Sequence, residues 1–457
     1  MVTPEKVRCL FGTDGVRDVA NSGIMMPEMA MRLGRAFVLF LTERGVPRPR
    51  IVVGRDTRRS GVMLESALVS GMMSAGADVH TLGVFPTPGV SYVLRNSDLD
   101  GGGIISASHN PAEYNGIKFL DKSGSKLSDD DEAMIEEYLG DNLLDDWRPT
   151  GASIGDLIDE RSRADDYSAW LTEQLAAAGD CDWPIVVDAA NGAASAIAVA
   201  VFSNWRGRVT YTGVKPDGLN INEGVGVIHM KHLAEMVKRE SAALGFAFDG
   251  DTDRVLLCDG LGRVIDGDIM LWIISRYLAA HGMLGSGVVS TVMSNMILDE
   301  KMADAGIEIF RSQVGDRYVV EMMRKTGARL GGEQSGHIIA LDYAATGDGM
   351  GAGILFLRAC RELGEDISTL IDRFPRYPQV LRNIRIADRE SVLASPELEE
   401  ARILAEKKLS GSGRILLRPS GTEPLLRVLV EARDEGVMRS VCDDLERAIR
   451  SIAGGID

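Results

Sequence analysis

The feature that most constrains this chain is an alternation. Short apolar runs at 51–53, 103–105, 185–187, 246–248 and 288–292 each end in a polar or glycine-containing turn. Between them lie amphipathic stretches such as 27–43, 62–75 and 231–243. Runs this short and this apolar read as buried strands, and strands alternating with helices argue for βαβ units in α/β layers. Open sheets of that kind place ligands at the C-terminal ends of their strands. Near residue 375 the pattern changes to a strand (380–386), a helix (395–409), two strands (414–417 and 425–431) and a last helix (435–452), which reads as a separate α+β domain. The acidic, turn-rich stretch 140–166 reads as the connection from a first domain to a second. A length of 457 residues suits three or four such domains. No sequence repeat is evident.

Charge narrows the partners. Lys plus Arg total 50 against 67 Asp plus Glu, a net charge of −17, which disfavours nucleic acid and anionic membrane as sequence-independent partners. An anionic ligand must then be met by a local basic pocket. Cys9, Cys181, Cys258, Cys360 and Cys442 are scattered and form no CxxC, so they read as free thiols in a reducing compartment. The charged N-terminus has no signal-peptide pattern, and the apolar stretch 193–202 is half the ~20 residues of a membrane span. A cytoplasmic location is the expectation.

Four turns could carry chemistry. Asp249-Gly-Asp251-Thr-Asp253-Arg254 follows a predicted strand. Three alternating carboxylates repel unless a cation joins them, and three leave positions free for a phosphate, which suits Mg²⁺. An EF-hand is excluded, because Arg254 stands where glycine is needed and Gly260 where an acidic ligand is needed. A solvated acidic turn is the alternative. Ser106-Ala-Ser108-His109-Asn110-Pro111 follows another strand and lacks the GxSxG elbow; Lys118 could bring a cation back to it. Gly331-Gly-Glu333-Gln334-Ser335-Gly336-His337 could present hydrogen-bonding groups to a polyhydroxylated ligand. Arg418-Pro-Ser420-Gly421-Thr422-Glu423-Pro424, with Arg427 beyond, has the donors of a phosphate cradle. Phe11-Gly-Thr-Asp14-Gly-Val-Arg17 is a further polar loop with a cation. The acidic run 128–131 reads as a helix start with Ser128 as N-cap. A Walker motif is absent, and GxGxxA at 347–352 has no preceding apolar strand.

Together and in this order, the motifs resemble the α-D-phosphohexomutase superfamily from Phe11 to Arg427. The resemblance implies a heart-shaped molecule of three related α/β domains plus a smaller α+β domain, divided at 1–155, 156–258, 259–374 and 375–457. It implies that Ser108 is a phosphoserine and that it and Asp249, Asp251 and Asp253 hold Mg²⁺. Glu333 and Ser335 would contact sugar hydroxyls, with Arg254 beside them. Arg418, Ser420, Gly421, Thr422 and Arg427 would bind the phosphate that is not transferred. Arg17, Lys118 and His337 would stand around the reacting centre, with the general base open among them. Asp18 stands where relatives usually have glycine. Gln334 resembles the glucosamine branch, which implies interconversion of glucosamine 6-phosphate and glucosamine 1-phosphate through glucosamine 1,6-bisphosphate, with it or glucose 1,6-bisphosphate as activator. The implied partner is a small sugar phosphate, and a homodimer is compatible with the resemblance. The rival readings are the same chemistry on mannose or glucose phosphates, a phosphatase, and a non-catalytic sugar-phosphate sensor.

Overall fold

The structure is a computed structural model that describes residues 10–12, 14–140, 143–179, 181–364, 366–386, 388–419 and 424–454. It divides into two units: Met1–Met293 with Ile307–Ile371, and Ser294–Gly306 with Asp372–Asp457.

The first unit contains three sheets. The first comprises β1 (Val16–Val19), β2 (Arg50–Arg55), β3 (Asp78–Val84), β4 (Gly101–Ile105), β5 (Tyr114–Asp121) and β6 (Leu157–Asp159), in the order β1-β5-β4-β2-β3-β6. The second comprises β7 (Ile185–Asp188), β8 (Val209–Thr212), β9 (Leu244–Phe248), β10 (Val255–Asp259) and β11 (Val264–Ile265), in the order β11-β10-β9-β7-β8. The third comprises β12 (Val288–Thr291), β13 (Ile309–Ser312), β14 (Leu330–Gly332) and β15 (Ile338–Ala340), in the order β13-β12-β14-β15.

These sheets share one plan. A central strand (β2, β7 or β12) has a parallel neighbour on each side. One of those neighbours (β4, β9 or β14) then folds back as an antiparallel hairpin into β5, β10 or β15. Strand order and hydrogen-bond direction recur while side chains do not, because many apolar residues suit a buried strand equally well. Each hairpin turn leaves the C-terminal end of a parallel strand, and each carries one of the candidate motifs.

Packing overrides propensity in β4. Its glycines make a poor strand on intrinsic preference, but the space they leave is occupied by neighbours. A Cβ on Gly101 would lie 2.8 Å from Phe37, and one on Gly102 would lie 2.9 Å from Leu94. The strand is thus thinned so that helices Pro27–Glu43 and Thr87–Arg95 can lie against it. The helix read at 231–243 spans Met230–Arg239; Ser241 turns left-handed (φ 48°) and ends it, freeing Ala242 and Ala243 to lead into β9. Ser128 caps helix Asp129–Gly140 through the Asp131 amide, as its sequence implied.

The second unit is an antiparallel sheet of β16 (Gln379–Arg385), β17 (Gly413–Pro419) and β18 (Leu425–Ala432), in the order β16-β18-β17. Helices Pro396–Leu409 and Glu435–Ile452 cover a core that includes Ile384, Leu426, Val428, Val441, Leu445 and Ile449. Helix Ile297–Asp304 joins this unit, where fully buried Glu431 accepts from the Met296 amide at 2.7 Å and from Arg414 Nε at 2.8 Å. Among the described residues, Cys181, Cys258, Cys360 and Cys442 are free and buried, and no helix is long and apolar enough to cross a membrane.

One buried carboxyl gives the fold a measurable pH dependence. Asp348 caps helix Gly349–Leu363 by accepting from the Gly351 amide at 2.8 Å, and it also accepts from Tyr167 Oη at 2.9 Å. Burial pushes its pKa up to about 6. Because the folded value lies above the unfolded one, this group stabilises the fold most at low pH, and its contribution is lost as pH rises through about 6. An Asp348→Asn variant keeps the cap oxygen and loses the titration. Its stability relative to the parent should improve by up to about 3 kcal/mol between pH 4 and 7. Paired urea denaturation curves across that range test this; a difference that does not change with pH refutes it.

Candidate active site

The turn after β4 places Ser108. The Ser108 amide donates to Ser106 Oγ at 2.9 Å, and the residue adopts a left-handed backbone (φ 49°). Fully buried, its hydroxyl donates to Asp249 Oδ2 at 2.5 Å and lies 3.3 Å from His109 Nδ1. Burial, reinforced by the Arg254 and Arg17 charges, lowers the His109 pKa to about 4, so the ring beside Ser108 is neutral at pH 7.

The turn after β9 supplies the carboxylates. Asp249, Asp251 and Asp253 are buried, with ligand oxygens all within 4.8 Å of one another. A β-branched residue, Thr252, takes a left-handed conformation (φ 68°) to curl this turn, a local strain that the surrounding structure must hold. Gly250 has no room for a side chain, since a Cβ there would lie 2.6 Å from the Ser108 carbonyl oxygen. Burial and the charges of its two neighbours push the Asp249 carboxyl well above the usual range. Burial also acts to raise Asp253, but Lys118 and His337 outweigh it and hold that carboxyl well below the usual range. Asp251, beside Lys118 and Thr87, is likewise lowered despite burial and Asp253.

This set fits a hard divalent cation. The donors are all oxygens, and Asp251 Oδ1 and Asp253 Oδ1 are buried without a hydrogen-bond partner. A cation would satisfy both and take over the role of the proton that repulsion favours on Asp249. Among the described residues this is the one cluster of three or more such ligands.

A closed circuit of basic and acidic side chains runs through the carboxylates. Lys118 Nζ, on β5 and almost wholly buried, lies 2.8 Å from Asp251, 3.6 Å from Asp253 and 3.2 Å from Asp14. Asp14 pairs with Lys126 at 2.5 Å, and Lys126 pairs with Asp316. Asp316 lies 3.4 Å from His337 Nε2, and His337 Nδ1 lies 3.7 Å from Asp253, which closes the circuit. Burial acts to raise Asp316, yet Lys126 and His337 bring it down to about 2. Arg17, on β1, pairs with Asp14. Arg17 Nε and Arg254 Nε are buried donors with no hydrogen-bond partner, which leaves them available to an anion. Asp18 does not disturb Arg17: its carboxylate accepts from the Val19 and Ile24 amides and fastens the adjoining turn.

The turn after β14 is a tight hairpin in which the Glu333 amide donates to the His337 carbonyl and Gly336 is left-handed (φ 89°). Glu333 accepts from the Gly315 amide at 3.0 Å and from Ser335 Oγ at 3.1 Å, so the two proposed hydroxyl-binding residues hold one another. The amides of Gly267 and Val255 bond to Gln334 and Gly336, tying this hairpin to the second sheet.

The first unit therefore assembles Ser108, Lys118, Arg17, Asp249, Asp251, Asp253, Arg254, Glu333, Ser335 and His337 on its three hairpins and β1. In the second unit Arg418 and Arg427 are directly opposed on β17 and β18, and Arg427 Nε is buried without a hydrogen-bond partner. Burial and the Arg427 charge lower the Arg418 pKa. Ser420, Gly421 and Thr422 lie outside the described residues. Lys126, Asp316 and Thr87 were not singled out by their sequence, and Asp14 entered only as part of a polar loop, because their roles depend on partners far along the chain.

Comparison with known proteins identifies the family. Models of the phosphoglucomutase/phosphomannomutase α/β/α domains I, II and III match residues 8–144, 165–262 and 266–377, and that of the C-terminal domain matches 381–448. The phosphoglucosamine mutase of Oceanobacillus iheyensis is 45% identical over 97% of this chain and 99% of its own length. That of Bacillus subtilis is 43% identical over 97% of this chain and 99% of its own. Among solved structures, a phosphoglucomutase/phosphomannomutase family protein from Burkholderia thailandensis superposes with a TM-score of 0.79 at 24% identity, covering 97% of this chain and 98% of that one. An N-acetylphosphoglucosamine mutase from Aspergillus fumigatus, solved with GlcNAc-6P and magnesium, gives 0.71 at 16% identity, covering 98% and 97%. With a likeness to relatives that runs nearly end to end and all four domains in order, the chain belongs to the phosphoglucomutase/phosphomannomutase family.

Proposed function

We propose that this chain interconverts glucosamine 6-phosphate and glucosamine 1-phosphate through a phosphoserine at Ser108 and a 1,6-bisphosphate intermediate. The substrate assignment rests on the near full-length likeness to phosphoglucosamine mutases. The chemistry rests on one observation: a buried seryl hydroxyl 2.5 Å from Asp249, the first of three clustered carboxylates. Each of the four domains, 1–155, 156–258, 259–374 and 375–457, contributes one loop to this reading.

In the forward half-reaction the P–O bond to Ser108 Oγ breaks and a P–O bond to the free sugar hydroxyl forms. The hydroxyl proton passes to a base at the reacting centre, to be found among Lys118, His337 and Arg17. The bisphosphate then reverses its ends, and the other phosphoryl returns to Ser108. Arg17 and Arg254, whose buried Nε donors lack hydrogen-bond partners, would stabilise charge on the equatorial oxygens of the moving group. Mg²⁺ held by Asp249, Asp251 and Asp253, together with the Ser108 phosphate, would supply further charge neutralisation. Glu333 and Ser335 orient the sugar. Arg418, Ser420, Gly421, Thr422 and Arg427 grip the phosphate that is not transferred, which must be recognised as a dianion at either end of the sugar. Burial of Ser108 keeps water from the phosphoryl group, without which a mutase would act as a phosphatase.

A coupled assay comparing glucosamine 6-phosphate with mannose 1-phosphate tests the substrate. Equal turnover of the two would overturn the glucosamine assignment and leave the reaction class standing. Chelation tests the metal. Activity should vanish in excess EDTA and return with Mg²⁺, and Asp251→Asn should lower both Mg²⁺ affinity and kcat by about 10-fold or more. Turnover indifferent to chelator would leave the triad as a buried acidic cluster balanced by Lys118 and its neighbours, with no catalytic metal.

A further inference from the structure

The carbonyl side of the Ser108 turn is held as elaborately as its hydroxyl side, by residues outside every motif considered so far. Arg58 is 1% exposed. Its Nε donates to Asp56 Oδ2 at 2.8 Å. Nη2 donates to the carbonyls of Ser108 at 3.0 Å and Asn110 at 2.8 Å. Nη1 donates to those of Pro111 and, at 3.1 Å, Tyr114. All five guanidinium N–H donors are thereby used, four of them on the backbone of one loop. Asp56, fully buried, is held in turn by the Arg58 amide at 2.9 Å and by Ser106 Oγ at 2.7 Å, and Ser106 Oγ accepts from the Ser108 amide.

A second residue reaches the same loop from the second sheet's side. Asn222 Nδ2 donates to the carbonyls of Ser108 at 2.9 Å and Asn110 at 3.1 Å. Both partners are carbonyls, so the amide orientation is fixed by chemistry. Asn222 itself is left-handed (φ 59°) and 3% exposed. The Ser108 carbonyl is therefore gripped by two side chains from different parts of the chain.

We propose that Arg58 and Asn222 are positioning residues for phosphoryl transfer: they lock the Ser108 turn in its left-handed form so that Oγ faces Asp249 while the phosphoryl group is passed in either direction. This rests on the reading of Ser108 as the phosphoryl carrier. A loop that donates and receives the same group must return to one geometry after each half-reaction, and neither residue is within hydrogen-bonding reach of the seryl oxygen itself. A planar fork satisfies four carbonyls at fixed angles, which a flexible ammonium cannot do.

Asn222→Gly is the principal test, because glycine keeps the left-handed backbone and removes only the amide. The expected result is a kcat for glucosamine 6-phosphate lowered about 10²-fold, with KM and Mg²⁺ dependence little changed, since misplacing the reacting atom penalises the transition state more than binding. Hydrogen–deuterium exchange in the 104–116 segment should quicken while the rest of the chain and the melting temperature hold. Arg58→Lys keeps the charge and loses the fork, and should show the same kcat-selective loss. An unchanged kcat in Asn222→Gly, or a loss matched by faster exchange throughout the molecule, overturns the proposal, as does full activity in Arg58→Lys. The parent enzyme incubated with glucose 1,6-bisphosphate should gain about 80 Da, one phosphoryl group, on the Ser108 peptide. Its absence would remove the carrier reading and with it the purpose of the clamp. Normal labelling of the parent beside normal turnover by the variants removes the clamp alone.

Discussion

Ser108→Ala should reduce turnover of glucosamine 6-phosphate by about 10⁴-fold or more, the scale seen when a covalent nucleophile is removed. In the proposed mechanism this hydroxyl is the atom to which the phosphoryl group bonds, and two neighbouring hydroxyls are committed elsewhere. The neighbouring Ser106 Oγ is committed to Asp56 and the Ser108 amide, and Thr87 Oγ1 donates to Asp251 Oδ2 at 2.6 Å. Folding should survive. The substitution removes one hydrogen bond to Asp249, a loss of about 1 kcal/mol. Two readouts separate this from a damaged fold. The variant should melt close to the parent, and its 104–116 peptide should lack the phosphoryl mass that the parent carries. Residual activity within 10-fold of the parent would mean that another group carries the phosphoryl, or that transfer is direct between two sugars.

What the sequence disclosed and what it hid follow from how far each interaction reaches along the chain. The Asp249–Asp253 turn and the Ser108 turn are local: residue types two apart after a strand suffice to suggest a cation and a polar loop. The circuit is not local. Asp14 and Lys126 are 112 positions apart and meet only because β1 and β5 are paired, with Arg17 opposite Gly116. Asp316 begins a helix in the third α/β sheet's region and reaches Lys126 from there. No spacing rule connects such residues. Arg58 was hidden for a different reason: in Arg55-Asp-Thr-Arg58-Arg59 it looks like one of several surface cations, and only its burial separates it from the exposed Arg59. The threefold recurrence of a parallel strand followed by an antiparallel hairpin left no repeat in the sequence, since the backbone plan alone is shared. The C-terminal domain was the most legible part, because its helices are amphipathic and its strands are bounded by glycine, proline and polar turns.

Lys118→Met should show how much of the fold depends on charge balance in this site. Methionine matches the lysine stem in length and lacks the ammonium, so packing along the stem is kept while the cation is lost. The ammonium serves three carboxylates, Asp251, Asp14 and Asp253, at 2.8, 3.2 and 3.6 Å, in a place where it is 2% exposed. Removing one partner from buried charge of this kind costs about 3–5 kcal/mol, because the remaining charges stay desolvated and now repel. Activity should fall with stability, since Lys118 is among the candidate bases for the hydroxyl proton. The variant's pH profile gives the sharper signature. In the parent, Lys118 helps to hold Asp253 below its unfolded pKa despite burial, so this group stabilises the fold above the normal carboxylate range and the benefit is lost on acidification. Without Lys118 the folded pKa moves upward, and once it passes the unfolded value the sign reverses: the variant should gain more stability than the parent as pH falls from 7 towards 5, because Asp253 then adds to the gain that the raised Asp249 carboxyl gives both proteins. Added Mg²⁺ should raise the variant's melting temperature more than the parent's, because the ion then replaces the missing positive charge as well as filling the triad. Thermal melts at pH 5 and 7, with Mg²⁺ or with EDTA, distinguish these cases. A variant that melts like the parent in all four conditions would show that Lys118 is a bystander to the carboxylates, and the circuit would lose its role in both stability and catalysis.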